Sequence, residues 1–494
     1  MMSAFSNLAT FHKDTVALEH IAGRLGWDQE TMMPSGSIGD RVEEFAALEK
    51  ILHARRSSSE LGTLLERAEA EDLPANELRQ VQLIRRTFER TKKVPEDLAI
   101  ALARLTPKAH KIWVEARAQD DFAIFKPVLA EVVMLTRDLG AALAEGGNGS
   151  PYDALLQEYE PDGSSEAISE MFRGLRPHLV DLRSEVLDRS PPPALNHSFE
   201  AEKQMQIAHI LAERFGYDFT RGRIDKAVHP FSSGSSSDVR ITTRTNERDP
   251  MNCFYSTIHE VGHASYEQNI DPSYAFSAFG KGCSMGIHES QSRIYENQLG
   301  RSRGFTSFLY RQMKDAYGDF AVSDEDIFYK IVNRVSDGYI RTEADELQYN
   351  LHIMLRYDLE RALVAGDLIV EDLEAAWNDR FEADFGYKVD RASHGVLQDV
   401  HWSEALFGYF PTYSLGNVYA GCLYEKMTED VPNLESDLEK GDLSRATSWL
   451  KDALQQHGSR YPARELMSRA CGKEPSVGPL VNYIKRKFSD IYDL

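Results

Sequence analysis

The stretch STIHEVGHASYEQN, Ser256 to Asn269, sets two histidines four residues apart with a glutamate directly after the first. On an α-helix, His259 and His263 leave one face about 6 Å apart along the axis, close enough for both imidazoles to reach one ion. Glu260 is turned away by about 100° and reaches a water on that ion without binding the ion itself. Chance produces H-E-x-x-H in a chain of this length only about 3–4% of the time, so the spacing is read as a metal site. The flanks agree with a buried helix: Phe254, Ile258 and Val261 are apolar, while Gly262 and Ala264 allow a neighbouring element to approach closely.

A catalytic tetrahedral ion wants three protein ligands and one open position. Glu267 continues the i+4 series, but it lies about 12 Å from residue 259 along the axis, too far for three such side chains to converge. It reads as a solvated group or as one standing behind the ligands. The metzincin pattern needs glycine and histidine where this chain has Tyr266 and Asn269, which excludes that class. A ligand from a later helix remains. GIHESQSRIYENQLGRS, Gly286 to Ser302, offers His288, Glu289 and Glu296 in one expected helix. Spacing alone leaves all three open, with Glu289 placed first because many zinc peptidases pair two histidines with one glutamate.

The chain around this motif has 494 residues, enough for two domains or for one large helical enzyme with a cleft between halves. Lys and Arg number 56 against 78 Asp and Glu, a net charge of −22. That balance repels phosphate backbones and anionic lipid, which argues against nucleic-acid or membrane partners and leaves small molecules, peptides or proteins. Cys253, Cys283, Cys422 and Cys471 are far apart and form no C-x-x-C pair, which reads as reduced thiols in a cytoplasmic protein. The N-terminal MMSAFSNLATFHKDTVALEH carries His12, Lys13 and Asp14 where a signal peptide needs an unbroken apolar core, and no long apolar run follows it.

Most of the chain has helical periodicity. VALEHIAGRLGW, DRVEEFAALEKILHA and KIWVEARAQDDFAIFKPVLAEVVML space their apolar residues by three and four, so the first 190 or so residues are expected to form long amphipathic helices. DVRITTRT, Asp238 to Thr245, alternates and is rich in β-branched residues; it is expected to be a strand in a small sheet or hairpin beside the motif. ADELQYNLHIMLRYDLERALVAG returns to helix, with Gly366 as its C-cap. Breakers at GGNGSP, SPPPALN and SSGSSSD mark boundaries. The expected organisation is one unit, residues 1–494, with a mainly helical N-terminal part (1–196) and a part carrying the metal site and cleft (197–494).

Eight segments in order, GWDQETMMP (Gly26–Pro34), YDALLQEYEPD (Tyr152–Asp162), HPF (His229–Phe231), DVRITTR (Asp238–Arg244), HEVGH, HESQ (His288–Gln291), IRTEAD (Ile340–Asp345) and GVLQDVHW (Gly395–Trp402), resemble the carboxypeptidase Taq family of metallocarboxypeptidases. The resemblance covers nearly the whole chain. It implies an all-α, two-lobed fold similar to neurolysin and angiotensin-converting enzyme, with a long central cleft and a small β-sheet beside the active-site helix. It also implies a homodimer and Glu289 as the third ligand. Arg341, in IRTEAD, matches the arginine that the family assigns to the substrate's C-terminal carboxylate, and HPF and DVRITTR resemble the segments that close one end of the cleft.

The chemistry that follows is removal of C-terminal amino acids, with broad specificity, from peptides with a free C-terminus. One Zn²⁺ per chain, or Co²⁺, held by His259, His263 and Glu289, would polarise the scissile carbonyl and acidify a water, while Glu260 takes the proton and passes it to the leaving amine. DVHWSEALFGYFPTYSLGN offers His401, Tyr409 and Tyr413 as donors to the oxyanion, or else as aromatic packing around a proline turn. A planar guanidinium suits a terminal carboxylate, so Arg240, Arg244 and Arg341 are the choices within these motifs, with Arg341 and Arg240 put forward, and the resemblance carried by HPF adds His229 on the substrate side. The competing role for Arg341 is an intrahelical ion pair with Asp345. Two other functions compete with the first: an endo-oligopeptidase of the same superfamily, and a helical binding protein with a structural metal. Glu260 beside a complete ligand set argues against the last, because a closed structural site needs no base.

Overall fold

The structure, a computed structural model, describes residues 3–147 and 149–494; Met1, Met2 and Asn148, the last within the GGNGSP breaker, lie outside them. Helices dominate, and the β-structure among the described residues is one three-stranded sheet. By compactness the chain falls into two units. Met1–Lys92, Pro193–Val332 and Tyr419–Pro475 form the first, and Lys93–Pro192, Asn333–Val418 and Ser476–Leu494 form the second. Residues 1–196 and residues 197–494 each contribute to both units. No helix among the described residues is long and apolar enough to cross a membrane.

The first unit is built around the helix Pro250–Asn269, which carries the H-E-x-x-H motif. Asp249 caps it by accepting the Met251 N–H at 3.1 Å, and Pro250 occupies the first turn, where its missing N–H costs nothing. Phe254, Ile258, Val261 and Ala264 are fully buried, so this helix is a core element rather than a surface one. Beside it lie β1 (Ile224–Lys226), β2 (Ser232–Ser235) and β3 (Asp238–Thr243), in the order β1-β3-β2, with β1 parallel and β2 antiparallel to β3. The alternation in DVRITTRT produces β3, whose Val239 and Ile241 are buried. The SSGSSSD breaker is β2 and its turn into β3. Thr243 at the end of β3 donates to the Cys253 carbonyl at 3.2 Å, seating the sheet on the motif helix.

The two N-terminal helices depart from the expected buried stripe. Ala4–Thr31 buries only Leu8, Thr15 and Trp27, and Ile38–Arg56 only Arg41 and Leu52, while Ile21, Ile38, Val42 and Ile51 are exposed. Apolar spacing records which residues share a face; it does not record whether another element covers that face. The helices that follow pack Leu61, Leu65, Val81, Ile84 and Phe88 around Leu8 in a continuous cluster.

The second unit centres on Tyr349–Ala365, another helix buried on almost every side, which ends at Gly366 in the left-handed conformation (φ 87°). It starts later than the periodicity suggests, because the Asp345 carboxylate accepts the Leu347 and Gln348 N–H groups, each at 3.0 Å, and holds that segment out of the helix. The helix carries Arg356 and Glu360 into the interior, both with no exposed surface. Glu360 accepts hydrogen bonds from Tyr152 Oη, Trp402 Nε1 and the Gly408 N–H, each at 3.0 Å, and so joins the YDALLQEYEPD and GVLQDVHW segments. Gly408 has φ 85°, and a Cβ there would sit 2.7 Å from the Leu156 nitrogen. Glycine is what lets this loop close on the 151–159 helix.

Candidate metal centre

His259 and His263 project from the motif helix, and Glu289 from the short helix Met285–Arg293, which Ser284 caps by accepting the Ile287 N–H at 3.1 Å. Gly262 brings these helices together: a Cβ on it would lie 2.5 Å from both Gln291 O and Ser292 Cα. One potential ligand atom from each of the three side chains lies within 4.8 Å of the other two. Glu289 Oε2 is 3.5 Å from His263 Nε2 and 4.0 Å from His259 Nε2. A tetrahedral ion with bonds of about 2.0–2.1 Å needs donors roughly 3.4 Å apart, so two imidazole nitrogens and one carboxylate oxygen here fit a divalent cation such as zinc with small adjustments.

The remaining nitrogens and carboxylates are engaged behind the triad. His259 Nδ1 meets Glu296 Oε2 at 2.9 Å, leaving Nε2 to face Glu289. His263 Nδ1 meets His288 Nδ1 at 2.7 Å, and His288 Nε2 meets Glu267 Oε1 at 3.1 Å. Both nitrogens of His288 are therefore taken, and Glu296 also pairs with Arg293 and Arg301. Of the three candidates for the third ligand, the geometry brings Glu289 to both histidine Nε2 atoms and sets His288 and Glu296 behind the rings. Glu267 is buried against His288, not solvated. The expected single helix also changes pitch, since Ile294–Leu299 is a π-turn. Such turns re-aim side chains at functional sites; here the turn carries Glu296, seven residues after Glu289, to the other edge of the His259 ring.

Electrostatics follow this arrangement. Burial raises the Glu260 carboxyl from 4.5 to about 7, with Glu289 and Glu296 adding to the effect. Burial, reinforced by His288 and His259, pushes His263 well below its ordinary value. For His259, burial acts downward, but the hydrogen bond it donates to Glu296 and the charges of Glu289 and Glu296 outweigh it, so its value rises. Burial would raise Glu296, yet His259, Arg293 and Arg301 hold it below the carboxylate range.

The other sequence candidates stand on other segments of the chain. Arg341, His401, Tyr409 and Tyr413 all belong to the second unit. Arg341 does not pair with Asp345 along a helix: it sits in a short 3₁₀ turn, Arg341–Glu343, and bonds Asp399 Oδ1 at 2.9 Å and Tyr349 Oη at 3.0 Å. Asp399 also takes Arg356 on its other oxygen, at 2.6 Å from Nε. Two buried guanidinium groups thus share one carboxylate. His401 Nε2 is 3.3 Å from Tyr413 Oη, and its Nδ1 is buried with no hydrogen-bond partner among the described residues. Burial lowers this imidazole to about 3, so it is neutral. Tyr409 packs edge-on against Tyr159, with ring centroids 4.9 Å apart, in keeping with the packing alternative for this aromatic run. In the first unit, Arg240 bonds Asp238 at 2.8 Å and stacks over Trp27 at 4.5 Å, tying GWDQETMMP to DVRITTR. His229 is exposed in the β1–β2 connection. Sequence reasoning missed Asp399 and Glu360; Asp399 stands inside GVLQDVHW, where the one carboxylate of the segment was the available signal.

A mainly helical chain whose buried H-E-x-x-H helix meets a glutamate from a neighbouring helix defines the class of helical metallopeptidases. The chain belongs to the carboxypeptidase Taq (M32) metallopeptidase family, whose model matches residues 7–488. It is 36% identical to thermostable carboxypeptidase 1 of Thermus thermophilus over 99% of both chains, and 34% identical to carboxypeptidase 1 of Bacillus subtilis over 97% of this chain and 96% of that one. Among solved structures it resembles the M32 carboxypeptidase of Deinococcus radiodurans (TM-score 0.96, 35% identity, 99% of this chain and 100% of that one). It also resembles Trypanosoma cruzi metallocarboxypeptidase 1 (TM-score 0.95, 32% identity, 98% and 99%). The protein is a metal-dependent carboxypeptidase, a peptide hydrolase.

Proposed function

We propose that the protein is a zinc carboxypeptidase of broad specificity, in which His259, His263 and Glu289 hold one ion per chain and Glu260 is the general base. The observation that carries this reading is the convergence of three donor atoms within 4.8 Å, with the far nitrogen of each histidine engaged. Cobalt suits the same donors. When bound, such an ion polarises the scissile carbonyl and lowers the pKa of water. Glu260 takes the proton of the attacking water and returns it to the leaving amine, from a carboxyl buried directly after the first histidine of the motif. His401 and Tyr413 supply hydrogen bonds to the developing oxyanion, and Tyr409 lines the same aromatic cluster.

Arg341 reads the C-terminal carboxylate of the substrate. Arg341 and Arg356 share Asp399, so two guanidinium groups face one carboxylate in a buried setting, an arrangement that suits an incoming anion. His229 and Arg240 are the further substrate-side candidates. The chain works as a single peptidase unit, a homodimer in the cytoplasm. Digestion of a mixed peptide library, followed by mass spectrometry, tests the reading: stepwise loss of C-terminal residues is expected, abolished by a chelator and restored by Zn²⁺. Internal cleavage, or turnover that survives complete metal removal, refutes it.

A further inference from the structure

The two histidines of the metal triad are supported differently. His259 Nδ1 meets a carboxylate directly, whereas His263 Nδ1 meets a second imidazole, His288, which alone reaches a carboxylate, Glu267. Glu267 lies two helical turns beyond His259 and is 8% exposed; Gly282 N–H approaches its Oε1 at 3.4 Å, and its Oε2 is buried with no hydrogen-bond partner among the described residues. A buried carboxylate with so few donors is costly unless it serves its one strong partner.

The proton order in this chain is fixed by what each end demands. If His263 Nε2 is to hold an ion, that nitrogen carries no proton, so the proton of the neutral ring sits on Nδ1. At 2.7 Å from another nitrogen, the Nδ1–H must donate, and His288 Nδ1 must accept. A neutral His288 that accepts through Nδ1 carries its proton on Nε2, which is the nitrogen facing Glu267 at 3.1 Å. The opposite order would aim a lone pair of His288 at the carboxylate and place a proton on the nitrogen that faces Glu289. The carboxylate therefore selects the order that ligation needs.

We infer that His288 and Glu267 are positioning residues for the ion: a carboxylate–imidazole relay that fixes the tautomer and orientation of His263. The inference rests on the ligand set proposed above. It gives a role to the histidine of HESQ, which ligates nothing in that set, and to the glutamate that continues the i+4 series. Gly282 belongs to the same arrangement, since a Cβ there would lie 3.0 Å from His288 Cδ2 and press on the ring.

The test is zinc affinity of the full-length protein, measured by competition with a chromophoric chelator, together with the visible absorption of the cobalt-loaded protein. His288→Ala and Glu267→Ala should still bind one ion per chain, but roughly 10–100-fold more weakly, as expected for partners behind ligands, and with an altered cobalt spectrum. His288→Asn should recover part of the loss, because its amide oxygen overlays Nδ1 and still accepts from His263. His288→Gln, whose amide reaches Glu267 but not His263, should bind as weakly as the alanine variant, and it carries the test if His288→Ala does not fold. Wild-type affinity and spectrum in folded His288→Gln and Glu267→Ala overturn the relay. Parallel His263→Ala and Glu289→Ala variants separate the two ideas: if these lose the ion while the relay variants do not, only the relay fails, and if they keep it, the ligand set fails.

Discussion

Glu260 is 6% exposed, and burial holds its carboxyl near 7, where neither protonation state is strongly preferred at neutral pH. Its place directly after His259, turned about 100° from the ligand face, is the reason to propose chemistry for it rather than structure. Glu260→Gln preserves size and removes the proton acceptor. The ion should stay bound near one per chain, and turnover should fall by at least about three orders of magnitude. Metal analysis and steady-state kinetics on the same preparation decide it, and near-normal turnover at full occupancy would reassign the base. This residue and the two histidines were legible in the sequence because a helix places i, i+1 and i+4 in fixed directions. Glu289 was not separable from His288 and Glu296 by spacing, because the choice depends on which ring nitrogen each one meets and on a π-turn that periodicity does not foresee.

At the scale of elements, the approach of two helices decides whether a site exists. Gly262 faces the backbone of Gln291 and Ser292, two and three residues past Glu289, and backbone atoms cannot rotate aside as a side chain can. Gly262→Ala gains up to about 1 kcal/mol of helix propensity but forces the helices apart, an overpacking cost of about 1–3 kcal/mol. Lower thermal stability and weaker zinc binding are expected together; unchanged zinc affinity would show that Glu289 does not depend on this contact. A second element-level feature is Glu360, which gathers Tyr152, Trp402 and Gly408 and is raised from 4.5 to about 7, by burial first, against the three hydrogen bonds it accepts. Its folded value lies above its unfolded one, so between about pH 4.5 and 7 the folded state binds more protons and stability falls as pH rises through that window. Glu360→Gln lacks this titration. The thermal midpoint of the variant relative to wild type should therefore climb between about pH 5 and pH 8, and a difference independent of pH would show that Glu360 titrates normally. Nothing in RYDLERAL marks this glutamate as buried, because its donors come from 42, 48 and 208 residues away.

Across the whole molecule, the helical class, β3 and the Gly366 cap followed from periodicity and turn chemistry, which act over a few residues. The interleaving of segments into two units did not, because it is set by contacts between distant parts of the chain. The same distinction applies to substrate selection. The proposed ligands and base belong to the first unit, and Arg341, proposed to read the substrate's C-terminal carboxylate, belongs to the second. Arg341 already holds Asp399, yet Arg356 competes for that carboxylate with a fully buried guanidinium of its own, which is why Arg341 is proposed to take a second carboxylate. Arg341→Ala should depress kcat/KM for free-acid peptides by roughly 2–4 kcal/mol, since one partner of a charge-assisted pair is lost in a partly desolvated place. C-terminally amidated peptides, poor substrates from the start, should hardly change. Arg341→Lys should recover only part, because an ammonium keeps the charge and loses the planar fork that meets Asp399 and a second carboxylate together. Equal loss on both substrate types would make Arg341 a structural partner of Asp399, and amidated peptides cut as readily as free acids by the wild type would point instead to an endo-oligopeptidase, with Arg240 as the next cation to examine.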